Sequence, residues 1–291
     1  MYKSTKGADK VSKIDEIYKD LVLTINEEGD WNHEHEVRAK YKDGTLAYTK
    51  SIFGYQYRIR PQDGVPIITS RRVPVKTAFN EVMAFYRDKT NKIEDLHALG
   101  IKYWDNWILP DGTIGKSYGY QIKNQIYKMP DGRELDQMDY VLDQLRNNPG
   151  SRRIMTSFWK TEEVHEKALQ ECAYETMWEV RNSKLYLHLF QRSCDLALGF
   201  ISNTYQDNML QRVVAHCLGF ELGDFVHTIV DAHIYDRHLE QLVYQVTEHP
   251  TFDAPEVCIN PKLKSFYDNT WEDISIVGYK HGPQLKYEIA E

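Results

Sequence analysis

The chain has 291 residues, 42% of them hydrophobic and 27% charged, which is ample for a well-buried core. A net charge of −7 and a pI near 5.9 exclude a protein that owes its affinity to a basic face on nucleic acid. The polar start MYKSTKGADK is no secretory signal, no apolar run is long enough to span a membrane, and Cys172, Cys194, Cys217 and Cys258 are too scattered for a metal or disulfide framework, so a reducing cytoplasm is the expected setting.

Residues 1–11 read as a flexible extension. Over 12–28, Ile14, Ile17, Tyr18, Leu21 and Ile25 recur at helical spacing and Gly29 stops the run. Residues 50–60, with the alternating SIFGYQYRIR, predict a strand with one solvated face. A helix starting at a proline is expected over 74–87, with Phe79, Val82, Met83 and Tyr86 on one side. A second amphipathic helix covers 135–145, ended by NNPG, and strands follow at 152–159, 173–180 and 184–192. An apolar helix over 204–218 closes at Gly219 and leads to a strand at 225–234 and a helix from about 236. The C-terminal 273–289 reads as two short strands around a turn at 281–283. Helices and strands interleave without a regular βαβ repeat, so one α+β domain on a mixed sheet is expected over the whole of 1–291.

Four clusters carry groups suited to chemistry. Cys172 stands just before a strand in LQECAYETMW, where it is a nucleophile or simply a small buried apolar residue. QRSCD places Arg192, Ser193 and Asp195 at a strand end; an arginine beside a hydroxyl makes a phosphate clamp and lowers the pKa of a nearby thiol, unless this is only a solvated strand end. In NPGSRR, Arg152 and Arg153 are adjacent on a strand and point to opposite faces. They are surface charge, or they share one task through an unusual loop or a partner chain. DAHIYDRH puts His233 and Tyr235 on one face, and no Cys or carboxylate stands at ligand spacing to make a metal site of them. Together these groups describe a thiol within a multi-arginine anion site, which suits a nucleotide monophosphate.

The ordered motifs EVRAKYKDGT, FGYQYRIR, DGVPIITSRR, YWDNW, GKSYGYQ, NNPGSRR, the Cys172 segment, LFQRSCDLALGF, ELGDF and DAHIYDRH resemble the thymidylate synthase family from about residue 12 to the C-terminus. The pattern is closest to its Bacillus-type branch. The resemblance implies a six-stranded mixed sheet with flanking helices and a homodimer packed sheet to sheet. It implies transfer of a one-carbon unit from 5,10-methylenetetrahydrofolate to C5 of deoxyuridylate (dUMP), with no metal and no obligatory nucleic acid. Cys172 matches the nucleophile that attacks C6. Arg38, Arg192 and Ser193 match phosphate ligands, and Arg152 and Arg153 match a pair that reaches into the partner's site. Asn203 matches the amide that reads the pyrimidine edge, His233 and Tyr235 match groups on the sugar hydroxyl, Glu81 matches the carboxylate that organises water, and Tyr118 matches a tyrosine beside the nucleophile. Asp195, Trp104, Trp107, Tyr103 and Arg71 fall at folate-binding positions.

Departures from the family pattern lie close to that site. Glu171 and Ala173 replace the usual Pro and His around the cysteine, and a carboxylate there raises a thiol pKa unless it is paired or points away. Phe200, Ile201 and Ser202 precede Asn203 where Pro-Phe is usual, so a phenylalanine that packs on the folate is lost. Tyr103 replaces an aliphatic folate contact, and Val230 replaces a glycine. Such changes also mark the related deoxyuridylate and deoxycytidylate (dCMP) hydroxymethylases, in which water takes the place of the folate hydride. Asn203, the tryptophan pair and Leu169 favour dUMP and methylation. Asp207, one helical turn beyond Asn203, is the residue that could instead tune the site for cytosine, and a non-catalytic nucleotide- or RNA-binding relative is the reading from a different class.

Overall fold

The structure is a computed structural model that describes residues 11–290; the expected extension therefore lies, apart from Val11, outside the described residues. Helix α1 (Lys13–Glu28) buries Ile14, Ile17, Tyr18, Leu21, Val22 and Ile25, the stripe its spacing dictates. It stops at Gly29, where a Cβ would come within 2.6 Å of the Ile25 carbonyl oxygen. After the short β1 (Asp30–Trp31), β2 (Thr49–Ile59) carries the alternating run, and α2 (Val75–Tyr86) starts behind Pro74. Then come α3 (Ile93–Ala98), a 3₁₀ turn at Tyr103–Trp107, α4 (Gly119–Asn124), and the small pair β3 (Tyr127–Lys128) and β4 (Glu134–Leu135). Helix α5 (Gln137–Asn147) begins two residues later than expected, because Leu135 joins β4 and the Asp136 side chain caps the helix by accepting from Asp139 N at 3.0 Å.

Strands β5 (Ile154–Ser157), β6 (Ala173–Arg181) and β7 (Lys184–Asp195) follow. β6 and β7 meet in a two-residue turn in which Asn182 and Ser183 both hold positive φ, 50° and 60°, as a primed hairpin turn requires. Helix α6 (Gly199–Leu218) starts five residues before the expected 204, since buried Phe200 and Ile201 extend its apolar surface, and it ends at Gly219 in the left-handed region, φ +74°. The chain closes with β8 (Glu221–Tyr235), α7 (Asp236–Glu248), β9 (Glu256–Ile259) and β10 (Ile274–Val277).

Six strands form one mixed sheet in the order β1-β2-β8-β7-β6-β5, parallel between β7 and β8 and antiparallel elsewhere. A parallel neighbour requires a long crossover, and α6 supplies it. Leu185, Leu187 and Leu189 of β7 and Phe225 and Ile229 of β8 are buried with α1, α2 and α6 in one core. On the opposite face Phe190, His188 and Val226 are half-buried, Met177 and Val230 are exposed, and Phe53 of β2 is 89% exposed. No described helix is long and apolar enough to cross a membrane.

The C-terminal hairpin expected over 273–289 does not form. β10 pairs instead with β9, Ile274 opposite Ile259, and residues 278–290 run without strand pairing. That tail is tied down by other bonds: Gly282 N donates to Thr69 O (2.7 Å), Tyr287 OH to Gln245 (2.9 Å), and His238 Nε2 to Glu288 O (2.8 Å).

Within α6, Asp207 is buried, and burial alone pushes its carboxyl up to about 8. The folded value thus lies above the unfolded one of 3.8. The native state holds its proton while the unfolded chain releases it, so stability is lost as pH rises from about 4 to about 8, by at most about 5 kcal/mol. Asp207→Asn should remove this slope. Urea unfolding at pH 5 and pH 8 tests it; a wild-type-minus-variant difference that is the same at both pH values counts against a protonated Asp207.

Candidate functional site

The parallel pair β7–β8 brings two strand ends together, with Ser193 opposite Asp231 and Asp195 opposite His233. β6 runs antiparallel to β7, so its first residues arrive at the same place: Ala173 pairs with Gln191, and Arg192 N donates to Cys172 O at 2.8 Å. Helix α6 leaves from this corner and carries Asn203 near its start. The thiol, the QRSCD end, His233 and Asn203 are thereby gathered by strand register and one crossover.

Tyr118 covers the thiol from the other side. Its hydroxyl accepts from Cys172 N (3.3 Å), and its ring stacks on Phe85 (4.6 Å) and meets Trp104 edge-on (5.4 Å). Tyr118 has φ +45°, an uncommon conformation for a non-glycine residue and one that places strain beside Cys172. Burial pushes the Cys172 thiol up; Arg192 opposes this, while Asp195, Glu171 and Asp231 add to it. The Arg192 guanidinium donates through Nε to Glu171 O and through Nη2 to Gln170 O, both at 2.9 Å.

Glu171, the carboxylate next to Cys172, is fully buried and paired. Lys167 Nζ approaches its two oxygens at 2.9 and 2.7 Å and also donates to Phe158 O at 2.9 Å, and neither charged side chain is exposed. Tyr118 N donates to the same carboxylate at 3.3 Å. Burial still raises the Glu171 pKa, and Lys167 opposes that.

Glu81 on α2 is the second buried carboxylate. It accepts from Trp104 Nε1 at 2.6 Å and from Gln206 Nε2, and Tyr103 adds a side-chain hydrogen bond. Burial raises its pKa and these three donors pull it back. Gln206 Oε1 in turn accepts from Asn203 Nδ2 (3.1 Å), and Asn203 Oδ1 accepts from Gln191 Nε2 (3.1 Å). Gln191 Nε2 also donates to Ser193 O (2.9 Å), and Gln191 Oε1 accepts from His227 Nε2 (2.9 Å). His227 Nδ1 meets Tyr57 OH at 2.8 Å, which meets Thr204 Oγ1 at 2.7 Å.

Among the other residues singled out in the sequence, His233 Nδ1 bonds Asp231 (3.0 Å) and its ring lies edge-on to Tyr235 at 5.4 Å. Asp195 accepts from Ala197 N at 2.8 Å and raises the pKa values of both Cys172 and Tyr235. Trp107 packs on Trp104 at 5.7 Å. Arg38 is exposed and close enough to lower the Tyr235 pKa. Arg71 is buried: it donates to Ala197 O and lies 4.6 Å over the Tyr287 ring, so it holds the C-terminal tail. Phe200, the first of the three residues that precede Asn203, is buried in the core and stacks on Tyr18 at 5.2 Å.

Arg152 and Arg153 are not brought to Cys172 within the chain. They precede Ile154, which pairs with Trp178, six residues along from Cys172 or roughly 20 Å at strand rise. Both are exposed.

Sequence reasoning missed Lys167, Gln191, Gln206, His227 and Tyr57. Their signals were faint: Lys167 lies four residues before Glu171, Gln206 lies three after Asn203, and Gln191 opens the QRSCD run.

The family model described as Thymidylate synthase matches residues 16–291. Thymidylate synthase 1 of Bacillus subtilis strain 168 is 41% identical over 281 residues, covering 96% of this chain and all of that protein. A thymidylate synthase of Fusobacterium nucleatum is 42% identical over 280 residues, covering 96% and 99%. Among solved structures, the thermostable thymidylate synthase A from Bacillus subtilis superposes with a TM-score of 0.91 at 40% identity, covering 96% of this chain and 99% of that one.

The Lys167–Glu171 pair gives a test of the packing around the thiol. Lys167→Met leaves a buried carboxylate without its cation and should cost about 3–5 kcal/mol. Adding Glu171→Gln should recover most of that loss, measured by denaturant unfolding. Equal losses in the single and double variants would show that the ion pair does not hold this corner.

Proposed function

Since the chain belongs to the thymidylate synthase family, and so is a one-carbon transferase that makes thymidylate with methylenetetrahydrofolate as cosubstrate, we propose that Cys172 is its nucleophile and that Glu81, Tyr118 and Asn203 complete the reacting centre. The observation that carries this reading is the convergence of the β6 start, the ends of β7 and β8 and the start of α6 on one thiol, with the Asn203 amide linked through Gln206 to the Glu81 carboxylate.

A pyrimidine C5 is a weak nucleophile. Addition of the Cys172 thiolate to C6 of dUMP gives C5 enolate character and places charge on O4. Asn203 Nδ2 donates to O4 while Oδ1 accepts from N3–H, so the group that reads the base also stabilises the charge. C5 then bonds to the methylene carbon while that carbon's bond to one folate nitrogen breaks; C5 loses its proton, which Glu81 moves through an ordered water, and the remaining carbon–nitrogen bond breaks to leave an exocyclic methylene on C5 beside tetrahydrofolate. Transfer of a folate hydride to the methylene, with release of Cys172 from C6, yields thymidylate and dihydrofolate. The thiol is raised by burial in the free protein, and Arg192 is the cation that opposes this.

Arg192, Ser193 and Arg38 bind the phosphate in this reading; Nε and Nη2 of Arg192 are held by backbone carbonyls, which orients Nη1 toward the ligand. His233 and Tyr235 serve the sugar hydroxyl. Trp104, Trp107, Tyr103, Asp195 and Arg71 serve the folate, Arg71 through the tail that it anchors. The partner subunit's Arg152 and the partner subunit's Arg153 complete the phosphate site. The open sheet face with Phe53, Met177 and Val230 supports a homodimer, and the strand distance from Arg153 to Cys172 supports a shared site. We place the enzyme in the cytoplasm, in keeping with four unpaired cysteines, and treat residues 12–290 as one domain.

Cys172→Ala should abolish turnover of dUMP and leave its binding largely intact, measured by steady-state kinetics and calorimetry; substantial residual turnover removes the nucleophile assignment. Mixing Cys172→Ala subunits with Arg153→Ala subunits, each inactive alone, should restore activity, because one hybrid site has both groups. Verified subunit exchange with no recovery speaks against sharing.

A further inference from the structure

Asn203 can distinguish uracil from cytosine only if its amide is kept from rotating. Uracil offers O4 as an acceptor and N3–H as a donor, and cytosine offers the reverse. A freely flipping amide would serve both bases. What holds an amide is a neighbour that can only donate or only accept, and both ends of the hydrogen-bond chain through Asn203 finish on such groups.

At one end stands the Ser193 carbonyl, a backbone oxygen that can only accept. It fixes Gln191 with Nε2 toward it, and the same NH₂ group faces Asn203. Gln191 Oε1 then requires a donor, and His227 supplies one. Burial holds His227 down to about 3, so it is neutral with a single N–H, on Nε2, while Nδ1 takes the Tyr57 proton. From this side Asn203 must present Oδ1 to Gln191.

At the other end stands Glu81. The Trp104 indole N–H, which can only donate, occupies Oε1, and Oε2 faces Gln206. With the Trp104 N–H and the Tyr103 hydroxyl also donating to it, the carboxylate acts as the acceptor, and Gln206 turns Nε2 toward it and Oε1 toward Asn203. From this side Asn203 must present Nδ2 to Gln206. The two ends impose the same orientation, and it is the one that reads uracil: each Asn203 group keeps a free hydrogen or lone pair for O4 and N3–H.

We propose that Gln206 is a specificity-determining positioning residue, which carries the acceptor-only character of the Glu81 carboxylate to Asn203 and locks its amide for uracil. Gln206 is buried on α6, one turn beyond Asn203, and touches both groups. One side chain therefore joins the carboxylate that moves protons to the amide that reads the base. The inference rests on the assignment of Asn203 as the base reader.

The test compares kcat/KM for dUMP and dCMP in three proteins. The wild type should prefer dUMP. Gln206→Met fills the space without a hydrogen bond, and the preference should fall about tenfold or more. Gln206→Glu keeps an acceptor facing Asn203 Nδ2 and should keep the preference, although a second carboxyl beside Glu81 lowers the rate on dUMP. A purely structural role would reduce both nucleotides alike and leave the ratio unchanged in every variant. If Gln206→Met does not fold, Gln206→Ala gives the same ratio without overfilling. A wild-type enzyme without preference for dUMP would sink the Asn203 assignment itself; a wild-type preference that survives in Gln206→Met or Gln206→Ala would overturn the role of Gln206 alone.

Discussion

Glu81 is a carboxylate with 7% of its surface exposed, and a buried carboxylate obliges its surroundings to supply donors. Two elements answer that demand with three donors: the Tyr103–Trp107 turn gives an indole N–H and a hydroxyl, and α6 gives the Gln206 amide. Satisfying one group therefore fixes α2, the aromatic turn and α6 relative to one another. The aromatic cluster then follows, since Trp104, once bonded to Glu81, presents its edge to Tyr118 and Phe85. Tyr118 in turn meets the backbone of Cys172. The Glu81 carboxylate, the Asn203 amide and the backbone that carries the Cys172 thiol are held as one assembly because none can move without leaving a buried polar atom unmatched.

The same logic governs the departures around the nucleophile. A carboxylate at 171 would be a liability beside a thiol, but Lys167 neutralises it and draws it toward the Phe158 carbonyl. The pair is more than a repair. The Glu171 carboxylate also takes the Tyr118 amide, and the Glu171 carbonyl takes Arg192 Nε, so it ties together the residue that covers the thiol and the cation beside it.

What could be read from the sequence was what local pattern decides. The α1 stripe, the alternation of β2, the proline start of α2 and the strand runs of β6 and β7 all follow from spacing within a few residues. Cys172, Arg192, Ser193 and His233 were singled out because they sit in ordered motifs, and Asn203 because it matches a family position; the structure gathers them at one corner. What escaped depends on partners distant in sequence. β10 needed β9, fifteen positions before it at the nearer pair (Ile259 with Ile274), and no alternation at 273–289 reveals that choice. Arg71 reads as a folate-binding position, and its hold on the C-terminal tail shows only when Tyr287 and Ala197 are placed around it. The place of Phe200 shows only once α6 is seen to begin at Gly199, with the ring stacked on Tyr18. Gln191 and Gln206 carry no pattern of their own, and their roles exist only through the two carboxyl and carbonyl oxygens that orient them.

Reaction with dUMP and 5,10-methylenetetrahydrofolate, with the nucleotide product identified by mass and the folate product by absorbance, tests the chemistry most directly. A folate that supplies both carbon and hydride leaves as dihydrofolate, one for each thymidylate formed, and the nucleotide gains a single CH₂. That is the expected result. A product that gains CH₂O, with tetrahydrofolate released instead, would mean that water reaches the exocyclic methylene before the hydride, and would contradict thymidylate formation at Cys172.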